Sequence, residues 1–173
     1  MKNKIFLGLM LLIMTSCEFF PFLPCKFEDK ITISKTTNFT NKLMLNGYYY
    51  DTVKISGYVN IYLFYKNGIF NNQNSYNYLE IENNNIELTV DTIDKGNWGL
   101  YLIKEDSLEI QQWMPSYSNC KRIVIEKGVI INDTCFKIDK WKFSDENEWK
   151  KDSSFFIFKQ YSPKPDSTNS FFD

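Results

Sequence analysis

Few residues in this chain could carry acid–base or nucleophilic catalysis. Histidine is absent, which removes the usual general base, the Ser-His and Cys-His pairs and the commonest metal ligand. Two carboxylates suffice for glycoside hydrolysis. The candidate pairs are Glu80 with Glu82, Glu105 with Asp106, and Asp139 with Asp145. Solvated charge explains these acids better, because the first pair shares a face of a polar strand and the second sits in a turn.

Phosphate-binding and metal-dependent chemistry lack their usual motifs too. The sequence contains no glycine-rich phosphate loop, no Gly-x-Ser-x-Gly elbow and no two-metal carboxylate set. Cys25, Cys120 and Cys135 match no zinc-binding spacing. We therefore expect no enzymatic activity, no cofactor and no metal.

Cys17 indicates chemistry of a different kind. Residues 1–4 carry two lysines and residues 5–14 form an uninterrupted apolar run, as in a secretory signal peptide. The run is too short to span a bilayer, since a lasting helix needs roughly 20 apolar residues. Residues 14–17, Met-Thr-Ser-Cys, look like a lipobox, in which the cysteine thiol accepts a diacylglyceryl group. We expect removal of residues 1–16 and a lipid anchor on Cys17; the alternatives are a plain signal peptide cut near Ser16 or a buried first helix.

The charge balance argues against a nucleic-acid partner. Removing residues 1–16 takes away Lys2 and Lys4, so 18 of the 20 basic residues remain against 21 acids, and the formal charge moves from −1 to −3. Nucleic-acid-binding domains usually show a clustered basic face. Arg122 is the only arginine, and no basic cluster stands out in the sequence.

Residues 17–40 are expected to form the lipidated tether, residues 41–161 one β domain, and residues 162–173 a C-terminal tail. β-Branched and aromatic residues dominate the domain, and Asn, Gly and Asp mark the turns. The predicted strands are 42–50, 57–65, a short one after the turn 66–68, and then 98–104, 107–113, 120–131, 134–143 and 154–160.

Short connections between these strands predict an antiparallel meander. Glu105-Asp106 links two strands directly, and Asn132-Asp133 can fill a type I′ turn. About eight such strands can close into an up-and-down barrel or curl into a half-barrel. The fold class predicted is therefore all-β, with a short helix or a lid possible within residues 73–95, where two alternating pieces also read as strands.

The pairing of Cys25, Cys120 and Cys135 depends on the register of one hairpin. In an oxidising compartment two of these three would form a disulfide. If the chain turns at residues 127–128, Cys120 faces Cys135 within bridging distance. If it turns at residues 132–133, this bridge is lost. Cys120–Cys135 is one candidate, and a bond from Cys25 to either of them is its main competitor.

The meander, Trp98-Gly99 at the start of a hairpin, the turn 132–134 and the closing run 158–169 together resemble lipocalin-like bacterial lipoproteins of unassigned function. The resemblance implies a lipid-anchored barrel in the cell envelope, on the periplasmic or cell-surface face of the outer membrane. It transfers no catalytic residue. The Gly-x-Trp motif that eukaryotic lipocalins carry near their first strand is not matched by position, because Gly96-Asn97-Trp98 lies mid-chain.

Aromatic residues make up 17% of the sequence and are spread along the predicted strands. In a barrel alternate positions face inward, so some of them must line the interior. Our first hypothesis is that the barrel binds a small apolar or amphipathic ligand. Its expected lining is Tyr62, Phe64, Trp98, Trp113 and Trp141. The alternative is a packed core without ligand, in a module that contacts an envelope protein or a glycan.

Overall fold

The computed structural model describes residues 30–35, 41–52, 57–92, 95–114 and 122–172. Within these ranges the chain forms one short helix and nine strands. The strands are β1 (Gly47–Asp51), β2 (Tyr58–Phe64), β3 (Ile69–Asn77), β4 (Trp98–Lys104), β5 (Ser107–Met114), β6 (Arg122–Asn132), β7 (Cys135–Phe143), β8 (Lys150–Lys151) and β9 (Phe155–Gln160). The helix, α1, spans Tyr78–Glu82.

All strand pairs are antiparallel, and they close into a barrel. Strands β1 to β7 each pair with the next, β7 pairs with β9, and β9 returns to β1. The two-residue strand β8 pairs with the same edge of β7 as β9 does, farther along. Asp152 lies between β8 and β9, and its carboxylate accepts hydrogen bonds from the backbone N–H groups of Ser153 and Ser154. These local bonds separate the two strands along the edge of β7. The predicted all-β barrel is thus confirmed, with eight strand positions around its wall.

Two strands differ from their predicted extent. Residues 42–46 do not continue β1 but cross one end of the barrel, where Leu43 is buried and the Met44 N–H bonds the Asp133 carbonyl oxygen at 2.9 Å. Strand β3 is longer than expected and runs through the asparagine-rich residues 71–74. In the segment 73–95 the short helix is observed, and the Asn77 side chain caps it by accepting a hydrogen bond from the Leu79 N–H.

The structure has two hydrophobic cores. The inner core fills one half of the barrel and contains mainly aromatic and branched side chains, among them Tyr49, Phe64, Phe70, Phe136 and Phe156. The outer core lies against the outer wall of β1 to β4. It packs those strands against α1, the loop 85–90, the tail residues 161–172 and residues 31–33. Strand β2 is therefore buried on both faces, which explains its nearly continuous apolar sequence.

The tail is held at the closed end of the barrel. The Lys164 ammonium donates to the backbone carbonyl oxygens of Leu45, at 2.9 Å, and Phe64. Burial lowers the pKa of Lys164 to about 7. A surface cavity of about 540 Å³ lies beside this contact, lined in part by Met44, Tyr65 and Lys164. Among the described residues, no helix is long and apolar enough to cross a bilayer.

Candidate functional site

The half of the barrel interior opposite the inner core is polar. Alternation along the strands turns Asp51, Asn72, Gln112 and Glu126 inward, from β1, β3, β5 and β6 respectively. We call these four residues the acceptor cluster. Two donors stand among them: Asn60 donates to Asp51 Oδ2 at 2.8 Å, and Tyr62 bonds Glu126 across the barrel.

The Tyr62–Glu126 contact is the centre of this polar half. The Tyr62 hydroxyl donates to the Glu126 carboxylate, with O–O distances of 2.9 and 3.0 Å. Burial raises the pKa of Glu126 to about 7, although the Tyr62 hydrogen bond favours the ionised form. Burial and the neighbouring Glu126 carboxylate also raise the pKa of Tyr62 well above its ordinary value, so Tyr62 remains a donor. Glu126 is therefore poised to gain or lose its proton near neutral pH.

Three oxygen atoms of the acceptor cluster have no hydrogen-bond partner among the described residues: Asp51 Oδ1, Asn72 Oδ1 and Gln112 Oε1. Their residues are 5%, 4% and 1% exposed. Leaving a buried polar atom unsatisfied costs roughly 1–3 kcal/mol. Burial also raises the pKa of Asp51, against the opposing effect of the Asn60 hydrogen bond. One half of the barrel thus presents several buried acceptors that lack donors.

Aromatic side chains stand between this cluster and the open end of the barrel. Trp141 lies directly opposite Glu126 in the β6–β7 pairing and Phe143 opposite Val124, so both face inward. Their rings are perpendicular with centroids 5.5 Å apart. Trp141, Phe143 and Glu126 all retain partial solvent exposure. Glu126 is therefore the member of the acceptor cluster that solvent reaches, past an aromatic rim of Trp141 and Phe143, whereas Asp51, Asn72 and Gln112 are buried behind it.

The cations at this rim are already paired. Arg122 bonds Asp145 and lies 3.3 Å from the Glu146 carboxylate, with its guanidinium 3.7 Å from the Phe143 ring centroid. Lys150 pairs with Glu146 at 3.2 Å and lies 4.4 Å from the Trp141 ring centroid. These cations are therefore engaged by the rim acids Asp145 and Glu146 and not by the acceptor cluster.

The apolar half of the barrel, by contrast, is filled. Tyr62 and Phe64 are 4% and 1% exposed. The Tyr62 and Phe70 ring centroids are 4.8 Å apart, those of Phe64 and Phe70 5.3 Å, and those of Phe136 and Phe156 4.8 Å. Side chains packed this closely leave no apolar chamber between them, as expected for a small barrel.

The five aromatics expected to line one cavity are not brought together. Tyr62 and Phe64 face the interior and are packed into the inner core, and Trp141 lies at the rim. Trp98 and Trp113 belong to the outer core instead, where Trp98 stacks with Tyr65 and Trp113 with Phe172. The assignment of Trp98 and Trp113 to the interior is thus wrong. The sequence shows alternation but does not say which face of β4 and β5 is the inner one.

Sequence reasoning missed the acceptor cluster, although a signal was present. Glu126 interrupts the apolar residues 123–125 within a predicted strand, and Gln111-Gln112 interrupts another. A polar residue in the middle of a strand that is otherwise apolar indicates either an exposed face or a polar site inside the fold. Only the closure of the barrel distinguishes these two cases for Glu126 and Gln112.

The candidate disulfide Cys120–Cys135 is not formed. The β6–β7 hairpin turns at Asp133-Thr134, which places Cys135 opposite Asn132 and leaves its thiol free. Residues 127–128 continue β6 instead of turning: Lys127 faces Lys140 and Gly128 faces Ile138, so the extra residue of the bulge, Asp139, lies on β7. A Cβ on Gly128 would lie 2.0 Å from the Lys137 carbonyl oxygen. Cys17, Cys25 and Cys120 lie outside the described residues.

The carboxylate pairs of the sequence show no shared site. Glu80, Glu82, Glu105 and Asp106 are exposed. Asp139 pairs with Lys137 at 2.8 Å, and Asp145 pairs with Arg122. Within the part of the chain that the structure describes, no group of three or more Cys, Asp or Glu side chains is arranged to hold a metal ion.

Comparison with models of known protein families, with curated proteins and with solved structures found no match to this chain.

Proposed function

We propose that this protein is a lipid-anchored, lipocalin-like binding protein of the bacterial cell envelope, and that its barrel holds a small amphipathic ligand with a cationic, donor-rich head. The observation that carries the proposal is the set of buried oxygens on Asp51, Asn72 and Gln112 that lack donors. A ligand that supplies N–H donors would remove the cost of leaving these oxygens unsatisfied.

The charge of the ligand follows from the two carboxyl groups of the cluster. Burial disfavours ionisation of both Asp51 and Glu126. A cation beside either carboxyl group would favour its ionised form, because an opposite charge within about 4–6 Å lowers a carboxyl pKa. We propose an organic ammonium group instead of a metal ion, since among the described residues no group of three or more Cys, Asp or Glu side chains is arranged to hold a metal.

The rest of the ligand would contact the rim. Trp141 and Phe143 offer partly exposed ring surface on the strand next to Glu126. An apolar or aromatic group attached to the ammonium would bury that surface. The ligand class is therefore a small aromatic or aliphatic amine.

The tether rests on the sequence alone: a basic start, an apolar run and Cys17 in a lipobox-like context. We place the domain on the periplasmic or cell-surface face of the outer membrane and assign it no enzymatic activity. The alternative function, a packed module that contacts an envelope protein or glycan, is favoured by the dense inner core.

Native mass spectrometry of the full-length protein extracted from membranes tests binding. We expect a co-purifying amine in the wild type and its loss in Glu126→Gln. Glu109→Gln is the matched control, because Glu109 lies on the outer face of β5 in an ion pair with Lys127. If all three proteins show only the unliganded mass and also fail to bind added amines, the alternative function is supported instead.

A further inference from the structure

Within the part of the chain that the structure describes, nothing covers one half of the outer barrel wall. The outer core covers the outside of β1 to β4, but four of the large exposed hydrophobic residues lie outside β6, β7 and β9. They are Val129, Ile131, Phe155 and Ile157, each 41–51% exposed. Five lysines share this wall, as the strand register shows: Lys127, Lys137, Lys140, Lys142 and Lys151. We call these nine residues, together with Trp149, the basic face.

Three of the five lysines of the basic face lie around the Trp149 ring. The ammonium groups of Lys140, Lys142 and Lys127 lie 5.0, 5.4 and 5.5 Å from the centroid of its ring. Lys137 lies 5.8 Å from the Phe155 ring. The Trp149 ring attracts each ammonium group through a cation–π contact, while the ammonium groups repel one another, so an anionic partner would relieve this repulsion.

The acids near the face balance only part of its charge. Lys127 pairs with Glu109 at 3.0 Å and Lys137 with Asp139 at 2.8 Å. Among the described residues, Lys140 and Lys151 form no ion pair, and both are exposed. The small net charge of the whole chain therefore conceals a local basic surface.

We propose that the basic face lies against an anionic phospholipid surface. Lysines bind lipid phosphates, tryptophan prefers the headgroup region, and exposed aliphatic side chains enter the acyl boundary. The face is a convex wall that combines all three, which suits a flat lipid surface better than a peptide that needs a groove. This proposal depends on the proposed function in one respect: the lipid anchor on Cys17 would bring the basic face near a lipid surface.

The test uses the full-length protein mixed with vesicles of phosphatidylcholine alone or of phosphatidylcholine with phosphatidylglycerol. If the protein floats together with the neutral vesicles, its lipid anchor inserts into membranes without help from anionic lipid. Quenching of tryptophan fluorescence by brominated phosphatidylcholine, compared between wild type and Trp149→Phe, reports contact of Trp149 with lipid. We expect about twofold stronger quenching of Trp149 in the anionic vesicles, because each lysine near such a surface strengthens association about fivefold.

Two triple variants test whether the position of the lysines matters or only the net charge of the protein. Lys127→Gln, Lys140→Gln and Lys142→Gln together should reduce the quenching to its level in neutral vesicles. The same change at Lys35, Lys66 and Lys95, which lie beside the tail, in the turn between β2 and β3 and beside Trp113 of the outer core, should leave it intact. Raising the ionic strength from about 0.1 to about 1 M shortens the screening length from about 10 to 3 Å and should also abolish the difference.

The proposal is overturned if Trp149 is quenched equally in neutral and anionic vesicles, or if the two triple variants behave alike. Failure to float with neutral vesicles would remove the tether but not the proposal, since the charge-dependent difference can still be measured with anionic vesicles. A basic face that contacts a protein instead of lipid would show no dependence on phosphatidylglycerol.

Discussion

Replacing Glu126 with glutamine should flatten the dependence of stability on pH. Burial raises the pKa of Glu126 from 4.5 to about 7. Between these two values the folded state binds more protons than the unfolded state, so the stability that this group contributes is full below pH 4.5 and is lost as the pH rises through 7. At about 1.4 kcal/mol per pKa unit, the loss is about 3 kcal/mol.

Glutamine has nearly the same shape, can still accept the Tyr62 hydroxyl, and does not titrate. The assay is urea denaturation of the full-length protein at pH 4.5 and at pH 8, with the linear slope checked for each variant. We expect the wild type to lose about 3 kcal/mol more than Glu126→Gln across this range. Glu109→Gln should keep the wild-type dependence. An identical pH dependence in wild type and Glu126→Gln would refute the raised pKa of the Glu126 carboxyl group.

Three further predictions concern single residues. Tyr62→Phe should lower the free energy of unfolding, measured by urea denaturation, by about 1–3 kcal/mol, because it leaves the Glu126 carboxylate without its donor. The control Tyr101→Phe loses only a hydrogen bond to a neutral carbonyl and should lower it by about 0.5–1.5 kcal/mol. Equal losses in the two variants would contradict this. Gly128→Ala should destabilise the protein by about 1–3 kcal/mol, since its Cβ would clash with the Lys137 carbonyl oxygen. Unchanged stability would show that the backbone near Gly128 accommodates a Cβ. Cys17→Ser should move the protein from the membrane to the soluble fraction, as judged by fractionation, and continued membrane attachment would exclude a lipid anchor on Cys17.

Local turn chemistry predicted several elements closely. Strand β4 begins and ends where expected, and Glu105-Asp106 forms the two-residue turn into β5, with Glu105 at φ 57°. The hairpin between β6 and β7 turns one residue later than Asn132-Asp133 would place it, because the chain turns at Asp133-Thr134. These features depend on neighbouring residues, which is why the sequence alone was informative.

The inner and outer faces of the barrel could not be predicted in the same way. Trp98 and Phe64 are both fully buried, but one lies outside the wall and the other inside it. The tail and α1 cover the outside of β1 to β4, so burial alone does not mark the inner face there. The acceptor cluster was missed for a related reason: Glu126 meets its partner Tyr62, which is far from it in sequence, only across the interior of the closed barrel.

Calorimetric titration of the full-length protein with phenethylammonium, and with phenylacetate as the isosteric anion, tests the ligand class most directly. The acceptor cluster predicts binding of the amine alone, with affinity that rises from pH 6 to pH 8 as Glu126 ionises and that falls in Glu126→Gln. Equal binding of the two probes, or binding of the anion alone, would contradict a cation site inside the barrel. The absence of any heat with the amine at pH 8 would contradict it as well.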